Sequence, residues 1–292
     1  MANHFKSVGL MGKPRHHATT ETSRLLHRFL TERGLRVLVE EQLARELNAS
    51  DMETASRDMI GGQCDLVLVV GGDGSMLNAA RAVASYGIPV LGINRGHLGF
   101  LTDISPTELK EKLVPILEGD YIEERRFLLQ AVVLRHEDPI GWGEALNDVV
   151  LYAGEIARMI EFEVYVNDQF VYSQRSDGLI VSTPTGSTAY ALSGGGPILH
   201  PSLQAIVLVP MFPHTLSARP IVVDAASKIE IVIAASNQLR PQVSCDGQVH
   251  IAVAPGDTLT IKRKEEDLRL IHPRTHNYYH TLRTKLGWGS KL

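Results

Sequence analysis

Leu66-Val67-Leu68-Val69-Val70 runs directly into Gly71-Gly72-Asp73-Gly74-Ser75, and the reading of this stretch decides the fold of the first third of the chain. The apolar run has no polar side chain, so it reads as a buried strand. The residues that follow, Met76-Leu77-Asn78-Ala79-Ala80-Arg81-Ala82-Val83-Ala84, read as a helix. A carboxylate is thereby placed in a glycine turn at the carboxyl end of a strand, where open α/β sheets hold their ligands. Three glycines allow close backbone approach and left-handed angles. Successive N–H groups and a helix N-terminus favour phosphate, which assigns phosphate binding to Gly71, Gly72, Gly74 and Ser75. A lone Asp among those donors can orient, or take the proton from, a hydroxyl that attacks a phosphoryl group. Asp73 as a simple helix cap is the weaker reading, since a cap needs no three glycines.

Working outward, strands and helices alternate. Ser7-Val8-Gly9-Leu10-Met11-Gly12 is a short strand, and Leu25, Leu26, Phe29 and Leu30 recur at helical spacing before a stop at Gly34. Arg36-Val37-Leu38-Val39 and Ile88-Pro89-Val90-Leu91-Gly92-Ile93-Asn94 are further strands. This alternation predicts an α/β domain with a parallel sheet over residues 1–125.

From Phe127 to Lys262 the pattern changes to many strands with few helix signals. Met159-Ile160-Glu161-Phe162-Glu163-Val164-Tyr165-Val166 alternates, and Asn167-Asp168 reads as a hairpin turn before Phe170-Val171-Tyr172. Ile221-Val222-Val223, Ile229-Glu230-Ile231-Val232-Ile233, a hairpin through Asp246-Gly247, and Thr258-Leu259-Thr260-Ile261 continue it. An all-β, sandwich-like domain is expected over residues 126–270, with one helical interruption near Ser187 to Leu192. The tail, 271–292, is expected to pack back on the first domain.

Composition excludes several classes. The net charge of −4 and the dispersed 29 Lys and Arg give no support for a nucleic-acid partner. Two cysteines, Cys64 and Cys245, fit neither a disulfide framework nor a zinc site. No stretch approaches a membrane span and the first residues lack a signal-peptide run, so no membrane partner and a cytoplasmic location are expected. There is no Walker motif, no GxGxxG after the first strand and no GxSxG.

In the second half, Asn147-Asp148 sits where a strand begins. Together they can hold the edge of a base and a ribose hydroxyl, although a polar strand start is an equal reading. Thr183-Pro184-Thr185-Gly186-Ser187-Thr188-Ala189-Tyr190 crowds hydroxyls at a helix N-terminus with an aromatic ring one turn in, which suits a nucleotide. Gly194-Gly195-Gly196-Pro197 allows close backbone approach or is simply a flexible loop. Arg175 can meet a phosphate and Asp177 a ribose hydroxyl, or the two form an ordinary surface pair. Asn94-Arg95-Gly96-His97-Leu98-Gly99-Phe100-Leu101 is a second glycine-spaced loop, read as the other wall of a cleft. His16-His17 is a weak metal candidate that reads better, with Lys13 and Arg15, as a basic lip for polyphosphate. His214, after Pro213, reads as structural. No resident metal site is predicted.

Taken together, these residues resemble the bacterial NAD kinases over essentially the whole chain. The GGDG turn alone is shared with phosphofructokinases and diacylglycerol-type lipid kinases. The combination with the 94–101 loop, Asn147-Asp148, Asp177-Gly178, the 185–190 segment and Asp246-Gly247-Gln248 is far more specific. His272-Pro273 and Leu286-Gly287-Trp288 also look like the enterobacterial branch. The resemblance implies ATP-dependent phosphorylation of the 2′-hydroxyl of the adenosine ribose of NAD, giving NADP, with Asp73 as general base and Gly74 beside it. It implies dinucleotide contacts from Asn147, Asp148 and Asp177, and an NAD site lined by Thr188, Ala189, Tyr190 and Ser193. Arg158, Arg175 and Gln248 fall at positions the family uses near substrate. Asp148 stands where the family usually has Glu, losing about one methylene of reach that a water can bridge. Mg²⁺ or another divalent cation with ATP, and a homo-oligomer with a tetramer favoured, are implied as well. A kinase of another small-molecule hydroxyl, such as a sugar phosphate or lipid, and a non-catalytic dinucleotide sensor are the alternatives.

Overall fold

The computed structural model describes residues 3–12, 17–47, 52–95, 99–154 and 159–288. They form two compact units, Met1–Arg125 with Leu268–Leu292, and Arg126–Asp267. The α/β and β-sandwich classes expected from the sequence are both present.

In the first unit a parallel sheet runs in the spatial order Thr54–Ala55, Arg36–Glu40, Ser7–Gly12, Leu66–Gly71, Pro89–Asn94. Arg269 and Leu270, near the end of the strand Thr258–His272, extend it by pairing in parallel with Pro89 and Val90. Every residue of Leu66–Gly71 and Pro89–Asn94 is buried, as a strand covered on both faces requires. The helix His17–Glu32 turns Leu26 and Leu30 into the core, leaves Leu25 half-exposed, and ends before Gly34 at φ +76°. Ser56 caps the helix Arg57–Gln63 through its side chain, and Asn277 caps Tyr278–Leu286 in the same way. The chain winds outward one way from Ser7–Gly12, then returns to place Leu66–Gly71 on its other side. The strand order therefore reverses between these two strands, and the glycine turn lies at that switch point.

The second unit stacks two sheets. One contains Gln169–Ser176, Ile160–Val166, Ile229–Ile233 and the first part of Thr258–His272. The other runs Ile221–Asp224, Ala205–Met211, Gly178–Ser182, Asp148–Tyr152, Gln242–Cys245, Val249–Ala252, all antiparallel. Phe162, Val164, Ile231 and Ile261 from one meet Val149, Leu151, Val181 and Leu208 from the other in one core. The hairpin at Asn167-Asp168 has both residues at positive φ, +51° and +63°, as a primed two-residue turn demands. The second sheet is also covered outside, where Ala191 and Leu199 pack on Val150, Ile180 and Val209. That second cover buries all of Gly178–Ser182.

Candidate functional site

In the first unit, Asp73 is the first residue of the helix Asp73–Val83, with Gly72 as its cap residue. The carboxylate does not cap its own helix. Its two oxygens accept the backbone N–H groups of Phe100 and Leu101, each at 3.0 Å. Arg95 N–H donates to Gly71 O at 3.1 Å and Asn94 N–H to Ile104 O at 2.8 Å. The loop after Asn94 is thus folded back on the glycine turn. A Cβ on Gly99 would lie 2.2 Å from Asp73 Oδ1, so glycine is what lets this loop reach the carboxylate.

Two expectations for the turn need correction. Gly71 and Gly72 are not at positive φ; Gly72 has φ −109°. Gly71 is required because a Cβ there would sit 2.3 Å from Ser75 Oγ. The N–H of Ser75 is not free, since it donates to Gly72 O at 2.9 Å. At Gly72 a Cβ would meet none of the described residues within 4 Å, so among them the space over the turn is open. Gly96, His97 and Leu98 lie outside the described residues, as do Lys13, Arg15 and His16 of the suggested basic lip; His17 is exposed and 3.6 Å from Glu21.

In the second unit, a cavity of about 710 Å³ is lined by Asn147, Asp148, Asp177, Ala189, Tyr190 and Asp246, together with Val150, Tyr152, Ala153, Gly154, Met211, Ser244, Gly247 and His250. The size suits a small-molecule ligand. Five predicted residues, Asn147, Asp148, Asp177, Ala189 and Tyr190, meet here. Tyr190 exposes 46% of its surface and offers a ring face. Thr188, Ser193, Arg175 and Gln248 are not part of the lining. Arg175 faces a different groove, with Glu161 and Asn237. Arg158 lies outside the described residues.

The hydroxyls of the 183–188 segment are not left for a ligand. Thr183 Oγ1 donates to Leu146 O at 2.5 Å, Ser187 Oγ donates to Pro184 O at 2.7 Å and accepts Leu199 N–H at 2.9 Å, and Thr188 Oγ1 donates to Thr185 O at 3.2 Å. Thr183 clamps the segment onto Leu146-Asn147, where Asn147 O also accepts Thr183 N–H at 2.9 Å, while Ser187 ties the segment to Leu199 and Thr188 bonds within it. Gly194 and Gly196 are likewise packing glycines: added Cβ atoms would press on Val209 at 2.9 and 2.8 Å.

Asp246 is the residue the sequence reading left out of the site. Its turn, with φ +53° and then +65° at Gly247, aims the carboxylate at the adjacent strand start. It accepts the N–H groups of Leu146 at 3.0 Å, Asn147 at 2.8 Å and Asp148 at 3.3 Å. The signal was present in the Asp-Gly hairpin dipeptide, but was absorbed by the turn it makes. Ser244, another missed lining residue, is buried, and its Oγ has no partner among the described residues.

Burial, and then the nearby Asp246 charge, push the Asp148 carboxyl up to about 7. The folded chain therefore holds this proton more tightly than the unfolded chain, where the group titrates near 3.8. The linked contribution is most favourable below that value and is lost as pH rises from about 4 to about 7. Asp148→Asn removes the ionisation, so its melting temperature is expected to fall less than the wild type's between pH 5 and pH 8. Parallel thermal melts check this; equal falls would contradict it.

The ATP-NAD kinase N-terminal domain model matches residues 8–121 and the ATP-NAD kinase C-terminal domain model matches residues 146–273. An NAD kinase of Pseudomonas entomophila is 59% identical over 99% of this chain and 97% of its own length, and one of Pseudomonas fluorescens is 60% identical over the same shares. Among solved structures, a yeast NADH kinase complexed with NADH superposes with a TM-score of 0.89 at 23% identity, covering 98% of this chain and 89% of that one. An NAD kinase from Archaeoglobus fulgidus in complex with ATP gives 0.73 at 24% identity, covering 96% and 98%. At those identities the two structures speak for the fold.

Proposed function

The chain belongs to the ATP-NAD kinase family, and from that premise we propose how its residues divide the work of the reaction. The enzyme transfers a phosphoryl group from ATP to the 2′-hydroxyl of the adenosine ribose of NAD, giving NADP. A bond forms between O2′ and the γ-phosphorus, the β–γ bridge breaks, and ADP departs. A ribose hydroxyl is a poor nucleophile at neutral pH, so positioning and charge neutralisation supply most of the rate.

Asp73 is the general base. Each of its oxygens accepts one backbone N–H and keeps a second lone pair, so the carboxylate is held in one orientation and can still take the hydroxyl proton. Gly71, Gly72, Gly74 and Ser75 form the phosphate-binding turn, although the Ser75 N–H is already engaged by Gly72 O, and the space over Gly72 that the described residues leave open supports that role. In the second unit, the cavity binds a nucleoside part of NAD. Asn147, Asp148 and Asp177 meet base edges and hydroxyls there, and the exposed face of Tyr190 stacks on a ring. Asp246 positions Asn147 and Asp148 through their N–H groups.

ATP enters as its complex with Mg²⁺ or another divalent cation, whose ligands come chiefly from phosphate oxygens. A homo-oligomer, with a tetramer favoured, and a cytoplasmic location belong to the same reading. Among the described residues no helix is long and apolar enough to cross a membrane.

The convergence of three polar side chains and one aromatic face in the cavity carries this assignment. Tyr190→Ala is expected to raise the KM for NAD about tenfold, in keeping with the loss of one base–aromatic stack, and to leave the KM for ATP nearly unchanged. Initial rates at varied NAD and ATP check it; equal increases for both substrates would remove Tyr190 from the NAD site.

A further inference from the structure

Asp103, His272 and His276 make a cluster in the first unit that the reaction does not use. His272 is fully buried, His276 nearly so, and Asp103 largely so. Asp103 meets both rings with separate oxygens: Oδ2 is 2.5 Å from His272 Nδ1 and Oδ1 is 2.7 Å from His276 Nδ1. The two imidazoles stack with centroids 4.0 Å apart. One ligand atom from each residue lies within 4.8 Å of the others. We propose that Asp103, His272 and His276 bind one divalent cation of the Zn²⁺ class through Nδ1 of both histidines and a carboxylate oxygen.

The donor set selects the ion. Two imidazole nitrogens and one carboxylate suit Zn²⁺, Co²⁺ or Ni²⁺, whereas Mg²⁺ and Ca²⁺ prefer all-oxygen shells. Around a tetrahedral ion with bonds of about 2.0–2.1 Å the donors stand roughly 3.3 Å apart. The two carboxylate–imidazole separations must then open by less than about 1 Å, and a donor pair at the 4.8 Å limit must close by about 1.5 Å, with the ion replacing the protons on Nδ1. The far side of the His272 ring is prepared for that change, whereas a proton on His276 Nε2 would meet no acceptor among the described residues. His272 Nε2 and His276 Nε2 are buried with no hydrogen-bond partner among the described residues. When Nδ1 ligates, the ring proton moves to Nε2, and for His272 that proton faces Glu124 Oε2, now 3.6 Å away. A carboxylate behind a ligating histidine is the usual outer support of such a site.

The position gives the ion a structural consequence. Asp103 lies two residues beyond Leu101, whose N–H holds Asp73. His276 precedes Asn277, the cap of the helix Tyr278–Leu286. A bound ion ties the carboxyl-terminal segment to the loop that orients Asp73.

The full chain, stripped with a chelator, is titrated with Co²⁺ and then Zn²⁺. We expect one equivalent of Co²⁺ with an intense tetrahedral-type visible band, its displacement by Zn²⁺, and two slowly exchanging imidazole N–H resonances shifted by the bound Co²⁺. At a hundredfold excess over Kd, Zn²⁺ is expected to raise the melting temperature by roughly 5 °C. Asp103→Asn and His276→Asn should weaken binding at least tenfold, while His17→Ala should retain it. No stoichiometric band in the wild type overturns the proposal without any variant. So does a band that survives both substitutions, or one lost in His17→Ala. Should the two variants fail to fold, the shifted resonances decide: their absence from the Co²⁺-loaded wild type overturns the assignment.

Discussion

Asp73→Asn is expected to fold and to lose turnover by about 10²–10⁴-fold, the range for removal of a positioned general base. The carboxamide keeps the shape of the carboxylate and one acceptor oxygen. It cannot take the ribose proton, and its NH₂ replaces the second acceptor. One of the N–H groups of Phe100 and Leu101, both now held at 3.0 Å, then loses its partner. A fully buried donor left unsatisfied costs about 1–3 kcal/mol; these two bonds are part-buried, so a smaller cost and a modest fall in melting temperature accompany the loss. The separation of effects is the useful part. The drop should appear in kcat, with the KM values for NAD and ATP changed little, because the cavity residues of the second unit are untouched. Single-turnover rates and far-UV circular dichroism on the same preparation check both halves. Near-wild-type kcat in a folded variant would remove Asp73 from the chemistry.

Gly178→Ala should cost about 3 kcal/mol, the upper end of the overpacking range, because the obstruction is backbone. A Cβ at this position would sit 2.0 Å from Leu151 O and 3.0 Å from Tyr152 Cα, in a strand paired on both sides. No side-chain rotation relieves that contact, and the pairing of Gly178 with Tyr152 must break or shift. Asp177 and Tyr152 both line the cavity, so NAD affinity should fall with stability. Gly72→Ala provides the contrast: a Cβ there meets none of the described residues and φ is −109°, so its stability should match the wild type within about 0.5 kcal/mol. Urea melts of the three proteins measure the difference, and equal midpoints for Gly178→Ala and the wild type would contradict the clash.

The first unit was readable because its elements announce themselves in apolar runs and glycine stops. Leu66–Gly71 and Pro89–Asn94 are continuous buried strands, and Gly34 ends the first helix as its position suggested. The helix Leu109–Leu117 was not read, since Pro115 within it argues against a helix. In the second unit, alternation exposed Ile160–Val166 and Ile229–Ile233, each with one buried face. The strand Thr258–His272 was read only to Ile261, because a charged run from Lys262 to Asp267 looks like a loop. Those charges are paired in place: Lys264 with Glu144 at 2.8 Å and Arg263 with Asp267 at 2.9 Å, while the Arg263 guanidinium lies over Phe127. The hairpin between Ile122–Arg135 and Asp138–Ala145 turns at His136 and Glu137, both at positive φ without a glycine or asparagine to signal it.

The site was half legible for a related reason. Residue type showed which side chains have suitable chemistry, but not which are already engaged. Ser187 and Thr183 have the right hydroxyls and use them to hold their own segment. Asp246 looked like turn chemistry and also anchors three N–H groups at the cavity. Such allocation depends on contacts between residues apart in sequence, by 12 for Ser187 with Leu199, 37 for Thr183 with Leu146 and 98 to 100 for Asp246, which local pattern does not report.

The most direct test of the account is a coupled assay with purified protein, Mg²⁺, ATP and NAD, reading NADP through an NADP-specific dehydrogenase, run beside Asp73→Asn. We expect steady NADP formation by the wild type and its near disappearance in the folded variant. NAD binding without NADP formation by the wild type would contradict the catalytic reading, and equal rates for the two proteins would contradict the role of Asp73.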